Sequence, residues 1–275
     1  ASAQAPVEVD ILTINDFHGR LEANPSGPEA GAAVIAGAVE AKKAENPNTL
    51  FVSAGDNIGA STFTSFIQQD NPTIDTLVAS GLDLSVVGNH EFDRGFDDLL
   101  NRVLPRYGGN TDPDGVTDEQ RRAGQDFGLG ANVYAAGTTD PVLPEYALRE
   151  IDGVSVAFIG TVTPDTATMV DPSGIADIEF GDQLEAANRV ADDLAETVDP
   201  DVIVLLTHSG AATSDCAQLA ADADGFGDLA TGASPLIDAI VSAHTHQTYA
   251  FEVPVDGTDR TRPVIQASEY GKAMG

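Results

Sequence analysis

The sequence predicts a layered α/β protein, with a mixed sheet or two stacked sheets held between helices. Short apolar, β-branched runs alternate with longer segments of helical periodicity along the whole chain, the pattern of strands connected through helices. Many of those runs empty into a polar cluster of Asp, Asn, Gly or His, just beyond a strand's carboxyl end, where such folds gather ligands. The 275 residues are 42% hydrophobic, enough for a sizeable core. Neither an internal repeat nor a Ser/Gly-rich linker divides them into independent domains.

The first strand is expected over 7–15, where apolar residues alternate before the loop Asp16-Phe17-His18-Gly19. An Ala-rich stretch, 31–43, interrupted only by Gly37, follows as a helix. Residues 50–53 form a second strand running into Gly55-Asp56-Asn57, and 73–80 a second helix stopped by Gly81. A third strand, 84–87, leads to Gly88-Asn89-His90-Glu91-Phe92-Asp93, and a helix over 96–103 ends near Pro105. After a turn-rich insertion, strands are expected at 130–134, 146–150 and 154–160, the last two joined by the hairpin signal Asp152-Gly153. Leu184, Ala187, Val190, Ala191 and Leu194 share one face of a helix over 182–197. Asp199-Pro200 then opens a strand over 202–206 that ends at Thr207-His208-Ser209-Gly210. Residues 239–242 precede His244-Thr245-His246, and strands at 249–253 and 263–267 complete the order.

Acidic residues number 44 against 13 basic ones, a formal charge of −31. That field opposes nucleic-acid polymers and anionic membranes as partners, since both carry the same sign, and it reads as a solubilising surface. Cys216 is the single cysteine, so no internal disulfide can form, and its polar surroundings mark an incidental thiol rather than a nucleophile. No apolar run approaches the ~20 residues that span a bilayer. Ala1-Ser2-Ala3 has the small-residue pattern of a leader-peptide cleavage site and, with the acidity, points to an exported protein. The segment 110–118 imitates the start of a calcium loop, but Arg121 stands where a bidentate Glu belongs. A solvated turn is expected there and at Asp222-Asp224-Gly225-Asp228.

All five histidines, His18, His90, His208, His244 and His246, fall in polar clusters that follow apolar runs. Imidazole is the commonest transition-metal ligand and the usual acid/base near neutral pH, so this rationing points to one metal-dependent site. Asp16, His18, Asp56, Asn89, His208, His244 and His246 together offer nitrogen and oxygen donors that suit Zn, Mn, Fe or Co ions. Magnesium alone prefers an all-oxygen shell. Seven donors exceed what one tetrahedral ion uses; with one bridging carboxylate they give each of two ions four protein ligands. Asp16 and His18 are two apart, as are His244 and His246, so in extended backbone each pair projects to one side. A lone strand-end His or Gly-Asp is ordinarily a core or turn residue, but five such clusters that use every His are not explained that way.

The strings Asn15-Asp16-Phe17-His18-Gly19, Gly55-Asp56-Asn57, Gly88-Asn89-His90-Glu91-Phe92-Asp93, Thr207-His208-Ser209-Gly210, Ala243-His244-Thr245-His246 and Glu269-Tyr270-Gly271-Lys272-Ala273-Met274-Gly275 carry a further reading. As a set, the chain resembles the calcineurin-like metallophosphoesterases, specifically the catalytic domain of the 5′-nucleotidase, 2′,3′-cyclic phosphodiesterase and UDP-sugar hydrolase family. The resemblance implies a four-layer α/β/β/α metallophosphatase sandwich and two divalent metal ions. It implies that Asp16, His18 and His246 bind one ion, Asn89, His208 and His244 the other, and that Asp56 bridges them. His90 and Asp93 are similar to the family's catalytic pair, in which the carboxylate orients an imidazole near the phosphate. Ala243 departs from a common Gly without removing a donor.

The resemblance further implies that residues 1–275 are one catalytic domain, lacking the second domain that clamps the nucleoside between aromatic rings. The expected activity is hydrolysis of nucleoside 5′-monophosphates or related nucleotides to nucleoside and phosphate by metal-activated water, in a secreted or cell-surface protein. Hydrolysis of another phosphate or sulfur ester on the same scaffold is the alternative, as is a catalytically weak binding module that keeps the metal site. The preferred base, the metal and the oligomeric state are open at this level.

Overall fold

Strand β1 (Asp10–Ile14), strand β2 (Thr49–Ser53) and strand β3 (Leu84–Ser85) form a parallel sheet in that order. The computed structural model describes residues 6–222 and 225–275; Ala1-Ser2-Ala3 and Asp224, on which two expectations rest, lie outside them. Strand β4 (Val133–Ala135) pairs antiparallel with β7 (Ile178–Phe180). The remaining strands, β5 (Tyr146–Ile151), β6 (Val154–Val162), β8 (Val202–His208), β9 (Ala239–Val241), β10 (Thr248–Pro254) and β11 (Thr261–Ala267), form one mixed sheet. Its order is β10-β11-β9-β8-β6-β5.

Alternation along the strands sorts side chains into two faces, and both are buried. Leu50, Val52, Leu84 and Val86 of the first sheet share a core with Val156, Phe158, Val204 and Leu206 of the second. Their immediate neighbours point the other way: Phe51 joins the core under the helix Ala32–Glu45, while Ala157, Ile159, Ile203 and Leu205 pack with the helix Gln183–Thr197. Strands covered on both sides are written as unbroken apolar runs. The result is the expected four layers, α/β/β/α. Helices Ala32–Glu45 and Asn71–Ala79 and the helical run over 96–107 cover one sheet, and Gln183–Thr197 with Phe226–Gly232 covers the other.

Three local expectations are revised. The helix expected over 96–103 continues to Tyr107, straight through Pro105. Leu104 N–H bonds back to the Leu99 carbonyl in a π-turn, so the proline falls at the start of a new turn, where its missing N–H costs no hydrogen bond. The strand expected over 130–134 shifts to Val133–Ala135, and its partner Ile178–Phe180 is too short for any periodicity to show in sequence. Short helices at Phe63–Phe66, Asp118–Gly124 and Cys216–Ala221 fill stretches expected to be irregular.

Phe158 is fully buried between the sheets, so Phe158→Ala should cost about 3–5 kcal/mol. Urea denaturation would register this as a lower midpoint with an unchanged m value.

Candidate metal centre

Five connections leave the carboxyl ends of their strands and meet at one edge of the stacked sheets. Asp16 and His18 follow β1, Asp56 follows β2, Asn89 and His90 follow β3, His208 closes β8, and His244 and His246 follow β9. Asp16, His18, Asp56, His244 and His246 all have left-handed backbones, with φ of 47°, 48°, 53°, 72° and 57°, so the extended backbone expected to aim the Asp16/His18 and His244/His246 pairs is replaced by turns. Such residues cost roughly 1–3 kcal/mol each and persist where their surroundings over-determine them. Backbone bonds do so here. The Asp16 N–H donates to Gly55 O at 3.0 Å, the His18 N–H to Asp56 O at 3.1 Å, and the Tyr270 N–H to Asp16 O at 2.8 Å. At Gly88 a Cβ would stand 2.1 Å from Asp56 Oδ1, so the loops after β2 and β3 can touch only if that residue is glycine.

The imidazoles are fixed from behind. His18 Nδ1 and His208 Nδ1 each lie 2.8 Å from a backbone carbonyl, those of Gly59 and Ala54. A carbonyl only accepts, so Nδ1 carries the proton and Nε2 presents its lone pair inward. On that side imidazole meets carboxylate: His208 Nε2 is 3.1 Å from Asp56 Oδ2, and His246 Nε2 is 3.2 Å from Asp16 Oδ1. Neither contact has the alignment of a hydrogen bond, for His208 Nε2 and Asp16 Oδ1 are both buried without a partner, as is Asn89 Oδ1. The His208 and Asp56 pair is held by opposite charge, whereas Asp16 Oδ1 and Asn89 Oδ1 stay buried with no donor, and a cation can satisfy such oxygens.

Protonation follows the same logic. Burial above all holds the His18 and His244 imidazoles below their ordinary value, which keeps both able to donate a lone pair. Burial acts on His208 too, but the facing Asp56 carboxylate outweighs it and draws His208 up to about 10. That is the proton a bound metal would displace. Among the described residues the donor atoms fall into three overlapping groups: Asp16 with His18 and His246, His18 with Asp56 and His90, and Asp56 with His208 and His244. Within each group they lie within 4.8 Å of one another. Mixed imidazole and carboxylate donors, with buried oxygen and nitrogen atoms left over, fit a divalent cation of the transition series.

Six of the seven donors expected from sequence fall in these groups, Asn89 lies on the loop beside His90, and Asp93 bonds His90. His90 Nδ1 is 2.9 Å from Asp93 Oδ2, and its ring stands 5.0 Å from that of His18. The hydrogen bond to Asp93 is the main reason the His90 imidazole is raised to about 9. Three contributors went unsingled in the sequence. Glu91 accepts the N–H groups of Asp56 at 2.9 Å, Asn57 at 2.9 Å and Gly88 at 2.6 Å, bracing the loops after β2 and β3. Its burial and the nearby Asp56 charge push it up to about 7 against those bonds. Asn15 donates to Asp16 Oδ2 at 2.7 Å and accepts from Ala267 N–H at 3.0 Å. Tyr270 stands against the edges of His18 and His246, with the Arg20 guanidinium 4.1 Å over its ring. An acid beside the motif histidine was the only signal for Glu91, and an acid in a loop is ordinarily solvated.

A family model described as calcineurin-like phosphoesterase matches residues 9–248. The chain is 38% identical over 283 residues to Endonuclease YhcR of Bacillus subtilis, covering 99% of this chain and 22% of that protein. It is 28% identical to a 5′-nucleotidase of Vibrio vulnificus, covering 100% of this chain and 49% of that one. It thus spans less than half the length of either relative. Among solved structures, the calcineurin-like phosphoesterase YfkN of Bacillus subtilis superposes with a TM-score of 0.70 at 24% identity, over 97% of this chain and 83% of that one.

A divalent cation held by donors that only the fold brings together binds the folded state only. Adding Mn or Zn ions to metal-stripped protein should therefore raise the melting temperature, by the equivalent of about 2.7 kcal/mol at a hundredfold excess over the dissociation constant. A chelator should reverse the shift.

Proposed function

Because the chain belongs to the calcineurin-like phosphoesterase family, we propose that it hydrolyses nucleoside 5′-monophosphates or related nucleotides to nucleoside and phosphate with the help of two divalent ions of the Zn, Mn, Fe or Co type. The observation that carries this reading is the clustering of Asp16, His18, Asp56, His208, His244 and His246 donor atoms, with Asp16 Oδ1 and His208 Nε2 unpartnered and 4.0 Å apart. Asp16, His18 and His246 would hold one ion and Asn89, His208 and His244 the other, with Asp56 shared between them. When bound, the ions would supply positive charge to the phosphate and make water acidic enough to act as a nucleophile near neutral pH. Two doubly charged ions exceed the charge of the Asp16 and Asp56 carboxylates, so the site can attract a phosphate that the −31 surface would repel.

The protein's own part in the reaction falls to His90 and Asp93. Asp93 accepts from Nδ1 and leaves Nε2 of His90 for the substrate, where a protonated ring can hold a phosphate oxygen or protonate the departing alkoxide. Glu91 keeps the Asp56 and Asn89 loops in register behind them. Residues 1–275 would act as one catalytic domain. Export fits the acidic composition, and no helix among the described residues is long and apolar enough to cross a membrane.

A second reading, cleavage of phosphodiesters in nucleic acid, is favoured by one observation: the relative at 38% identity is named an endonuclease. The strong negative charge of the chain argues for small substrates instead.

Phosphate release from nucleoside 5′-monophosphates, assayed with Mn or Co, is the expected result; two bound ions with no release from any ester would refute the assignment, and nicking of DNA without release would favour the second reading. His90→Asn should lower turnover by ~10²–10⁴-fold while metal content stays near that of the parent, whereas Asp56→Ala should lose both ions. The acid form of His90 is present below about 9 and lost as pH rises through that value. Asp93→Asn removes the chief cause of the upward shift, so the alkaline limb of its pH profile should move to lower pH.

A further inference from the structure

We propose that the cavity on the far side of His90 receives the leaving group of the ester: a flat, ring-bearing alcohol that stacks on Phe66 and sets an anionic substituent against Arg94. The inference deepens the phosphoesterase reading and rests on it. A cavity of about 260 Å³ opens beside His90 and Asp93, walled by Ile58, Phe66, Arg94 and Arg102. Ligand sites for drug-sized molecules run ~300–1,000 Å³, so this volume suits a small ring system. His90 stands between this cavity and the donor cluster, its ring 5.0 Å from His18 while it also lines the cavity wall. An ester whose phosphorus sits among the donors and whose leaving oxygen takes a proton from His90 carries the rest of its alcohol past this ring.

The wall has the chemistry of a ring-binding surface. Phe66 is 56% exposed, and its neighbours Phe63 and Ile67 are 76% and 56% exposed on and beside the same short helix. Phe66 is the one of the three that lines the cavity, and an exposed aromatic face there stacks favourably on a second ring.

Charge supplies the other half. The acids around the cavity are already engaged. Asp93 bonds His90, Asp98 takes a two-point contact from Arg102, Asp70 accepts from Ser65 Oγ at 2.7 Å, and Glu91 accepts three backbone N–H groups. Among the described residues the arginines that pair with carboxylates are Arg102, Arg106, Arg149, Arg189 and Arg260. Arg94 is not one of them. In a chain with 44 acidic and 13 basic residues, a guanidinium left uncommitted beside the cavity is suited to an anion.

The test compares ligands that differ only in the leaving group. Benzylphosphonate and methylphosphonate are titrated calorimetrically into Mn-loaded protein, and hydrolysis of phenyl phosphate, 4-carboxyphenyl phosphate and glycerol 2-phosphate is measured in parallel. Phe66→Ala, at an exposed position whose folding a melting curve verifies, should lower the preference for benzyl- over methylphosphonate roughly tenfold, and the phenyl-over-glycerol ratio of kcat/KM likewise. Arg94→Ala should selectively lower the ratio for 4-carboxyphenyl over phenyl phosphate. Unchanged ratios in both variants would overturn the pocket and leave the phosphoesterase reading standing. No hydrolysis of any ester by the metal-loaded parent protein would overturn both.

Discussion

A buried cluster of imidazole and carboxylate groups drawn from two sheets is the constraint around which this protein is organised. Asp16 comes from the first sheet and His208 and His244 from the second, yet the His244 N–H donates to Asp16 Oδ2 at 2.9 Å, and His208 Nε2 approaches Asp56 Oδ2. Apolar burial between the sheets brings these groups together but cannot satisfy the Asp16 Oδ1 and Asn89 Oδ1 atoms it leaves without a donor. A positive ion can. The packing energy of the four layers holds in place a set of groups that would otherwise separate, and their chemistry follows from being held.

The supports behind the donors are as telling as the donors. Carbonyls of Gly59 and Ala54 fix two imidazole tautomers, and Asn15 pins one oxygen of Asp16 while leaving the other bare. Glu91, buried under three N–H groups, does for the loops after β2 and β3 what a helix cap does for a helix end: it satisfies donors that have no other acceptor. None of these groups needs to touch a substrate. Each removes a freedom the reacting groups would otherwise have.

Much of this was legible in the sequence because histidine occurs only in the polar clusters beyond apolar runs, so composition and position said the same thing. Runs such as 202–206, apolar on both faces, made buried sheets between helices legible, while the four-layer order came from the family resemblance. What was not legible depended on burial or on register. Glu91 reads as a solvated loop acid until its exposure of 4% is known. Pro105 reads as a helix end unless a π-turn absorbs its missing donor. Strands of three residues, like Val133–Ala135, carry too few positions for any period. Arg94 and Phe66 fall between motifs, and only the cavity relates them.

The left-handed backbone at Asp16, His18, Asp56, His244 and His246 has a consequence for descent. Branched side chains are poorly tolerated at such torsions, whereas glycine and asparagine relax them. A lineage released from the demands of hydrolysis would therefore drift toward those two amino acids at the five positions and shed backbone strain as it did so, with its layers untouched. Fossil copies of this architecture should be recognisable by that substitution alone.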